Sequence, residues 1–324
     1  MLNIICLVLL IVTTVLLVRS CTRAWRVRNA LLRRISVSLT ALLAAVVSLV
    51  SVLTIVGLFK LHTRNAPIPD LNIAGTSQQI QRGQAIAKSF CDACHSKTGQ
   101  LTGGAEMGEE LPIPVGSFVS SNLTPAGRLI RWSDGEIFRA IRNSIDADGR
   151  WLTIMSYTNA GKLSDDDIAA VIAFIRNQPA AGQQTSNPPD QFNLLGVIML
   201  GAGMLPAGKP VFPGRITAPA KGPTVAYGEY ILSYQDCREC HGADLTGGVQ
   251  GQLAPIGPGL TLISDWSLQE FIATLRTGID PSGHQLSKQM PWRPIGRMDD
   301  EELGAVFEYL TQMLGSQTTS KQLR

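Results

Sequence analysis

The sequence predicts an all-α chain: an N-terminal transmembrane helical hairpin followed by two tandem helical domains. Three observations carry that prediction. Two long apolar runs fill most of the first 60 residues, a Cys-x-x-Cys-His motif occurs twice, and residues downstream of the motifs recur at an offset of 134 positions. A chain of 324 residues has room for two or three domains of ordinary size.

The hairpin comes first. Residues 2–18 are apolar except for Asn3, Thr13 and Thr14, and residues 35–59 are interrupted only by small or hydroxyl side chains. As helices these runs span about 26 and 37 Å, against a hydrocarbon core of about 30 Å. A cleaved signal peptide would place basic residues before the first run and a small-residue cleavage site after it. Here Arg19, Arg23, Arg26, Arg28, Arg33 and Arg34 all follow it, and residues 1–34 contain no acid. That arginine-rich loop is expected on the cytoplasmic side of the inner (plasma) membrane, which leaves both chain ends extracytoplasmic and makes lipid the hairpin's first partner. Cys6 and Cys21 read as an inert membrane thiol and a loop thiol. The expected division is residues 1–64 for the hairpin, 65–178 and 223–324 for the two domains, and 179–222 for a linker.

The chemistry lies in Cys91-Asp92-Ala93-Cys94-His95 and Cys237-Arg238-Glu239-Cys240-His241. Two thiols one helical turn apart can add to the two vinyl groups of one porphyrin, and the adjacent histidine then meets the iron. Covalent haem c at both motifs is therefore expected, through Cys91 and Cys94 and through Cys237 and Cys240. His95 and His241 are the expected proximal ligands. A thioredoxin-type pair would sit in a βαβ pattern that is missing, and zinc would need further ligands where only His62 and His284 are spare.

A sixth ligand is expected from methionine, the usual partner in a high-potential electron carrier. Met155 and Met290 each lie nine residues before an N-cap signal, Ser164 with Asp167 and Asp299 with Glu302, that opens an apolar-periodic helix. Met107 competes for the first iron and His284 for the second. Met298 abuts a cap and reads as a hydrophobic staple.

Trp132, Ser133, Glu136, Arg142, Asp146 and Gly149 recur as Trp266, Ser267, Glu270, Arg276, Asp280 and Gly283, and Leu101-Thr102-Gly103-Gly104 as Leu245-Thr246-Gly247-Gly248. Each half thus reads as a motif helix, a Gly/Pro loop, a middle helix, a methionine loop and a final helix, at 164–177 and 299–313. Trp132, Tyr157, Phe174, Trp266, Trp292 and Phe307 are candidate haem walls. The linker carries one apolar run, residues 192–205, too short for a span and expected against the membrane or a partner.

Outside the first 34 residues the chain holds 22 Lys and Arg against 25 Asp and Glu. Such a balance has no basic stripe, so nucleic acid is excluded as a partner. Six cysteines, four of them in the motifs, exclude a disulfide scaffold.

With these residues in view, both halves resemble class I cytochrome c domains. The first half is similar to the cytochrome c subunits of bacterial membrane-bound dehydrogenases for alcohols, aldehydes and gluconate. The stretches that carry the likeness are Ser121-Asn122-Leu123-Thr124-Pro125, Trp132-Ser133-Asp134-Gly135-Glu136, Asp148-Gly149-Arg150, Met155-Ser156-Tyr157 and Leu163-Ser164-Asp165. Ser156 stands where that family usually has proline, and such subunits usually carry three haems and no N-terminal hairpin. The second half resembles a broader group of membrane cytochromes through Met290-Pro291-Trp292 and Met298–Leu303. The resemblance implies haem attachment outside the cytoplasm, the side the arginine loop also assigns.

The function expected is an electron relay with no catalytic residues. It would run between a membrane redox partner, such as a dehydrogenase or quinol-oxidising complex, and a soluble electron carrier or terminal oxidase. Alternatives are a dihaem peroxidase, which needs an open iron position, or a structural wire in a respiratory or photosynthetic assembly beside an oxidase or reaction centre.

Overall fold

The computed structural model describes residues 2–252 and 254–322, so the outer bounds expected at residues 1 and 324 lie outside the described residues. Helices α1 (Leu2–Ala24) and α2 (Ala30–Lys60) lie side by side. Large apolar side chains, Leu9, Leu42 and Leu49 among them, are exposed along both, and each helix is long and apolar enough to cross a membrane. The connection is much shorter than the arginine pattern suggested. Arg19 and Arg23 belong to the end of α1, Arg33 and Arg34 to the start of α2, and only residues 25–29 turn. Arginine is a good helix former, so charge did not end the helix. The restart comes from Asn29, whose side chain accepts from Leu31 and Leu32 N–H.

Helix α3 (Ser77–Ile86) begins at a reciprocal box between Thr76 and Gln79 and runs through a π-helical turn, Ala87–Cys91, into α4 (Asp92–His95). The middle helix α5 (Asp134–Asn143), the short α6 (Thr153–Tyr157) and the final α7 (Asp165–Asn177) complete the first half. Helix α8 (Leu194–Ala202) lies in the linker. The second half repeats the order in α9 (Val225–Tyr234), α10 (Cys237–His241), α11 (Leu268–Thr277), α12 (Trp292–Ile295) and α13 (Asp300–Gln322). The 134-residue repeat is visible in side-chain detail. Ser133 with Glu136 and Ser267 with Glu270 form matching capping boxes, and Ile145 bridges Trp151 as Ile279 bridges Gln285.

In each half the first and last helices cross at a glycine. A Cβ at Gly83 would lie 1.8 Å from the Ala170 carbonyl oxygen, and one at Gly228 1.9 Å from that of Ala305. Only a glycine lets backbones approach so closely. The two halves then share one core: Phe90 meets Tyr234 edge to face at 5.8 Å between centroids. Arg82 of α3 holds Asp167 through two bonds of 2.8 and 2.9 Å and also binds Glu302 of α13. The Tyr230 hydroxyl donates to Asp167 at 2.6 Å, and Arg297 binds Asp92.

Three features add to what the sequence predicted. A small antiparallel pair, β1 (Gly116–Phe118) with β2 (Asp190–Phe192), ties the first half's loop to the linker. The apolar run 192–205 forms α8, which packs on α2: a Cβ at Gly57 would sit 2.0 Å from the Val197 carbonyl oxygen, and one at Gly201 2.0 Å from that of Leu53. Lys60 donates to the Leu200 carbonyl at 2.9 Å. The run thus covers the chain's own hairpin, because small residues on both helices permit contact. The last helix also continues past 313, to Gln322.

Candidate haem sites

Each motif ends its helix with the histidine aimed by a backbone carbonyl. The His95 Nδ1 meets Ser121 O at 2.8 Å, and His241 Nδ1 meets Pro258 O at 2.7 Å. Because a carbonyl can only accept, Nδ1 carries the proton, and Nε2 is left with its lone pair for a metal. Burial lowers the pKa of His95 against the opposing pull of Ser121 O, which keeps the ring neutral as ligation requires. Burial likewise pushes the Cys91 and Cys237 thiols up to about 12. Among the described residues no three or more His, Cys, Asp and Glu side chains come together as a zinc ion would require.

Beside the first motif lies a cavity of about 300 Å³ lined by Cys91, Cys94, His95 and Met155. Phe90, Phe118, Leu129, Trp132, Ile137 and Val171 are among its walls. Two thiols, an oriented imidazole, a thioether and an almost wholly apolar enclosure fit a covalently held haem. Met107 lines the cavity as well, so the competing methionine is close. Met155 stands on α6, whose first N–H groups are met by the buried Asp190 carboxylate through Thr153. Of the expected aromatic walls Trp132 lines this cavity, whereas Tyr157 turns away to bind Pro206 O and Phe174 lies off it. Phe90 and Phe118 take that role; no periodicity marked them.

Around the second motif, His241 is buried, and Leu260, Trp266, Met290 and Phe307 pack on the core together with Trp292. Met290 N bonds Ser287 O at 3.1 Å. His284 is exposed on the loop tip, its N–H held by Asp280 Oδ1, and takes no part in this packing. Met298 is buried beside Leu303, as a staple requires.

The repeated arginines have a role the sequence did not reveal. Arg142 donates to Gly161 O, Leu163 O and Asp165, and Arg276 donates to Gly296 O, Met298 O and Asp300. Each clamps the segment between its methionine and the final helix. The spacing alone showed that they repeat; only the fold shows what they hold.

The first cavity is closed from the second half. Gln235 and Asp236, which precede Cys237, and Pro291, which follows Met290, line it with Pro294 and Ile295. Asp236 accepts from Asn159 N and Nδ2 at 2.7 and 2.6 Å, stitching the methionine loop of one half to the motif helix of the other.

Comparison with known proteins agrees with this geometry. The family model of cytochrome C oxidase, cbb3-type, subunit III matches residues 78–175, and that of cytochrome c matches residues 225–314. The chain is 32% identical over 170 residues to the cytochrome c subunit of an alcohol dehydrogenase (quinone) from Gluconobacter oxydans (strain 621H), covering 50% of this chain and 34% of that one. It is 29% identical over 130 residues to the fructose dehydrogenase cytochrome subunit of Gluconobacter japonicus, 35% of this chain and 26% of that one. With the gluconate 2-dehydrogenase cytochrome c subunit of Pantoea cypripedii it shares 26% over 171 residues, 50% and 37%. The matches span only about a third of these relatives' lengths.

Proposed function

From two cytochrome c domains in one chain, each with a motif for covalent haem c, we propose a membrane-anchored electron relay in which the two sites exchange electrons directly. The observation that carries this reading is the shared wall. Residues flanking Cys237 and Met290 line the first cavity, which brings the second motif's surroundings to its wall. The haem iron supplies the one-electron chemistry. The chain's part is to bind it, orient it and exclude water.

In this reading Cys91, Cys94, Cys237 and Cys240 are the attachment residues. His95 with Met155 and His241 with Met290 would hold the two irons. A histidine and a methionine on each iron would favour a high potential and leave no position for peroxide, which sets the relay above the peroxidase alternative. Helices α1 and α2 anchor the chain in the plasma membrane, with the arginine-rich turn cytoplasmic and both termini and the haem domains outside. Similarity to cytochrome subunits of dehydrogenases supports a membrane dehydrogenase as electron donor, and in this reading a soluble carrier or terminal oxidase is the acceptor.

The test is to solubilise native membranes in mild detergent, isolate the chain by its haem absorbance and identify what stays bound. A flavin-, quinone- or molybdenum-dependent dehydrogenase in the preparation supports the assigned donor. A bound quinol-oxidising complex, oxidase or reaction centre would replace that donor with a respiratory or photosynthetic one. Isolation without any partner, at native lipid content, would reduce the assignment to a free tethered carrier.

A further inference from the structure

Arg128 is the one Lys or Arg among the described residues lining the first cavity. Its side chain is only 5% exposed. Of its donor atoms Nη2 alone has a partner, Asp146 Oδ2 at a long 3.4 Å, while Nε and Nη1 have none. A buried guanidinium with open donors is costly, so a native structure is expected to supply an acceptor. The plane of the fork is held at the cavity edge by Trp132, whose ring centroid lies 4.8 Å from the guanidinium carbon.

The local charge points to the kind of acceptor. Arg139, also buried, spends its described hydrogen bonds on the carbonyls of Asp146 and Ala147. Half-buried Arg150 binds the Asp190 carbonyl and lies in the field of Asp190 and Asp146. Three arginines therefore meet two buried carboxylates, Asp146 and Asp190; the loop's other acid, Asp148, is exposed. One anionic group would balance them. A planar carboxylate matches the arginine fork, and a haem carries such groups as its propionates.

We propose that Arg128 is the propionate-binding residue of the first haem site, giving one of its open donors, Nε–H or Nη1–H, to a propionate carboxylate, and that the second site has no counterpart of it at the 134-residue offset. This rests on reading the cavity as a haem site. At the 134-residue offset Arg128, Arg139 and Arg150 are replaced by Leu262, Ala273 and His284, and Leu262 is 45% exposed. A fixed positive charge beside the first site favours its reduced iron.

The test uses full-length protein in detergent: wild type, Arg128→Leu and Arg128→Lys, each assayed for haem content, for reduction potential by absorbance, and for the propionate carboxylate band in redox-difference infrared spectra. The wave belonging to the first site is the one missing from a Cys91→Ala/Cys94→Ala variant. Arg128→Leu is expected to keep both haems, lower the first-site wave by about tenfold in its equilibrium constant (59 mV for one electron), leave the second unmoved, and shift the propionate band. Arg128→Lys keeps the charge and loses the fork, so it should move the band more than the potential. An unmoved first wave and an unmoved band in a two-haem Arg128→Leu protein overturn the proposal; if that variant takes up no haem, an unmoved band in Arg128→Lys does so. Wild-type protein lacking haem at Cys91 and Cys94 would instead defeat the reading of the cavity itself.

Discussion

Replacing Arg82 with leucine isolates one of the contacts that join the two cytochrome domains. The Arg82 side chain is 21% exposed, and its partners Asp167 and Glu302 are 10% and 4% exposed. Burial works against its charge, but the hydrogen bond and field of Asp167 hold the guanidinium pKa well above its ordinary value. Leucine would strand two carboxylates away from water. Breaking such a buried pair from one side costs about 3–5 kcal/mol, whereas an exposed pair is worth at most about 1 kcal/mol. For two halves that share one core each kcal/mol lowers the unfolding midpoint by about 2–4 °C, so the midpoint should fall by roughly 6 °C or more. Heating followed by haem absorbance and far-ultraviolet circular dichroism reads this directly. Adding Glu302→Gln should recover part of the loss, because much of the cost is the stranded charge. A loss below about 1 kcal/mol in the single variant would show that the interdomain clasp behaves as a surface pair, and the reasoning would be wrong.

Three further outcomes are expected. Met155→Ala and Met290→Ala should each abolish one of two sulfur–iron charge-transfer absorptions and lower one potential, while Met107→Ala keeps both; loss of a band in the Met107 variant would move the first axial ligand there. Burial raises Asp236 to about 6, above its unfolded value, despite hydrogen bonds from Asn159. The proton is then held more tightly in the folded state, so this group's contribution to stability is complete below about pH 4 and disappears as pH rises through about 6. Asp236→Asn should flatten that decline in a pH series of unfolding midpoints, and an unchanged slope would exclude Asp236 as its source. Gly57→Val should separate α2 from α8 at a cost of about 1–3 kcal/mol, because its branched side chain meets the Val197 carbonyl oxygen; faster proteolysis of residues 192–205 in detergent is the readout, and unchanged cutting would deny the close contact.

The elements legible in the sequence were those with local causes. The Cys-x-x-Cys-His motifs need only one helical turn to present thiols and imidazole together, and both form helix ends as expected. The caps at Ser164 and Asp299 depend on residues three positions apart, so they too could be read directly, whereas Ser133 and Ser267 stood out only as repeated positions. The apolar runs became α1 and α2, although the arginines between them did not lengthen the turn.

Tertiary structure alone decided what required distant parts of the chain. Gly83 and Gly228 matter because a carbonyl from another helix passes within contact of each, a fact no local pattern encodes. The run 192–205 was expected against the membrane or a partner, and that part of it also meets α2 emerged only from the packing. Phe90 and Phe118 became cavity walls, and Tyr157 did not, since a side chain's face is set by the helix packed against it. Above all, the sequence by itself determined two haem-binding halves, each built from short-range turns and periodicity. That the second half closes the first half's cavity, and that Arg128 stands beside it with open donors, followed only from packing, because burial and unmet hydrogen bonds are properties of the assembled core.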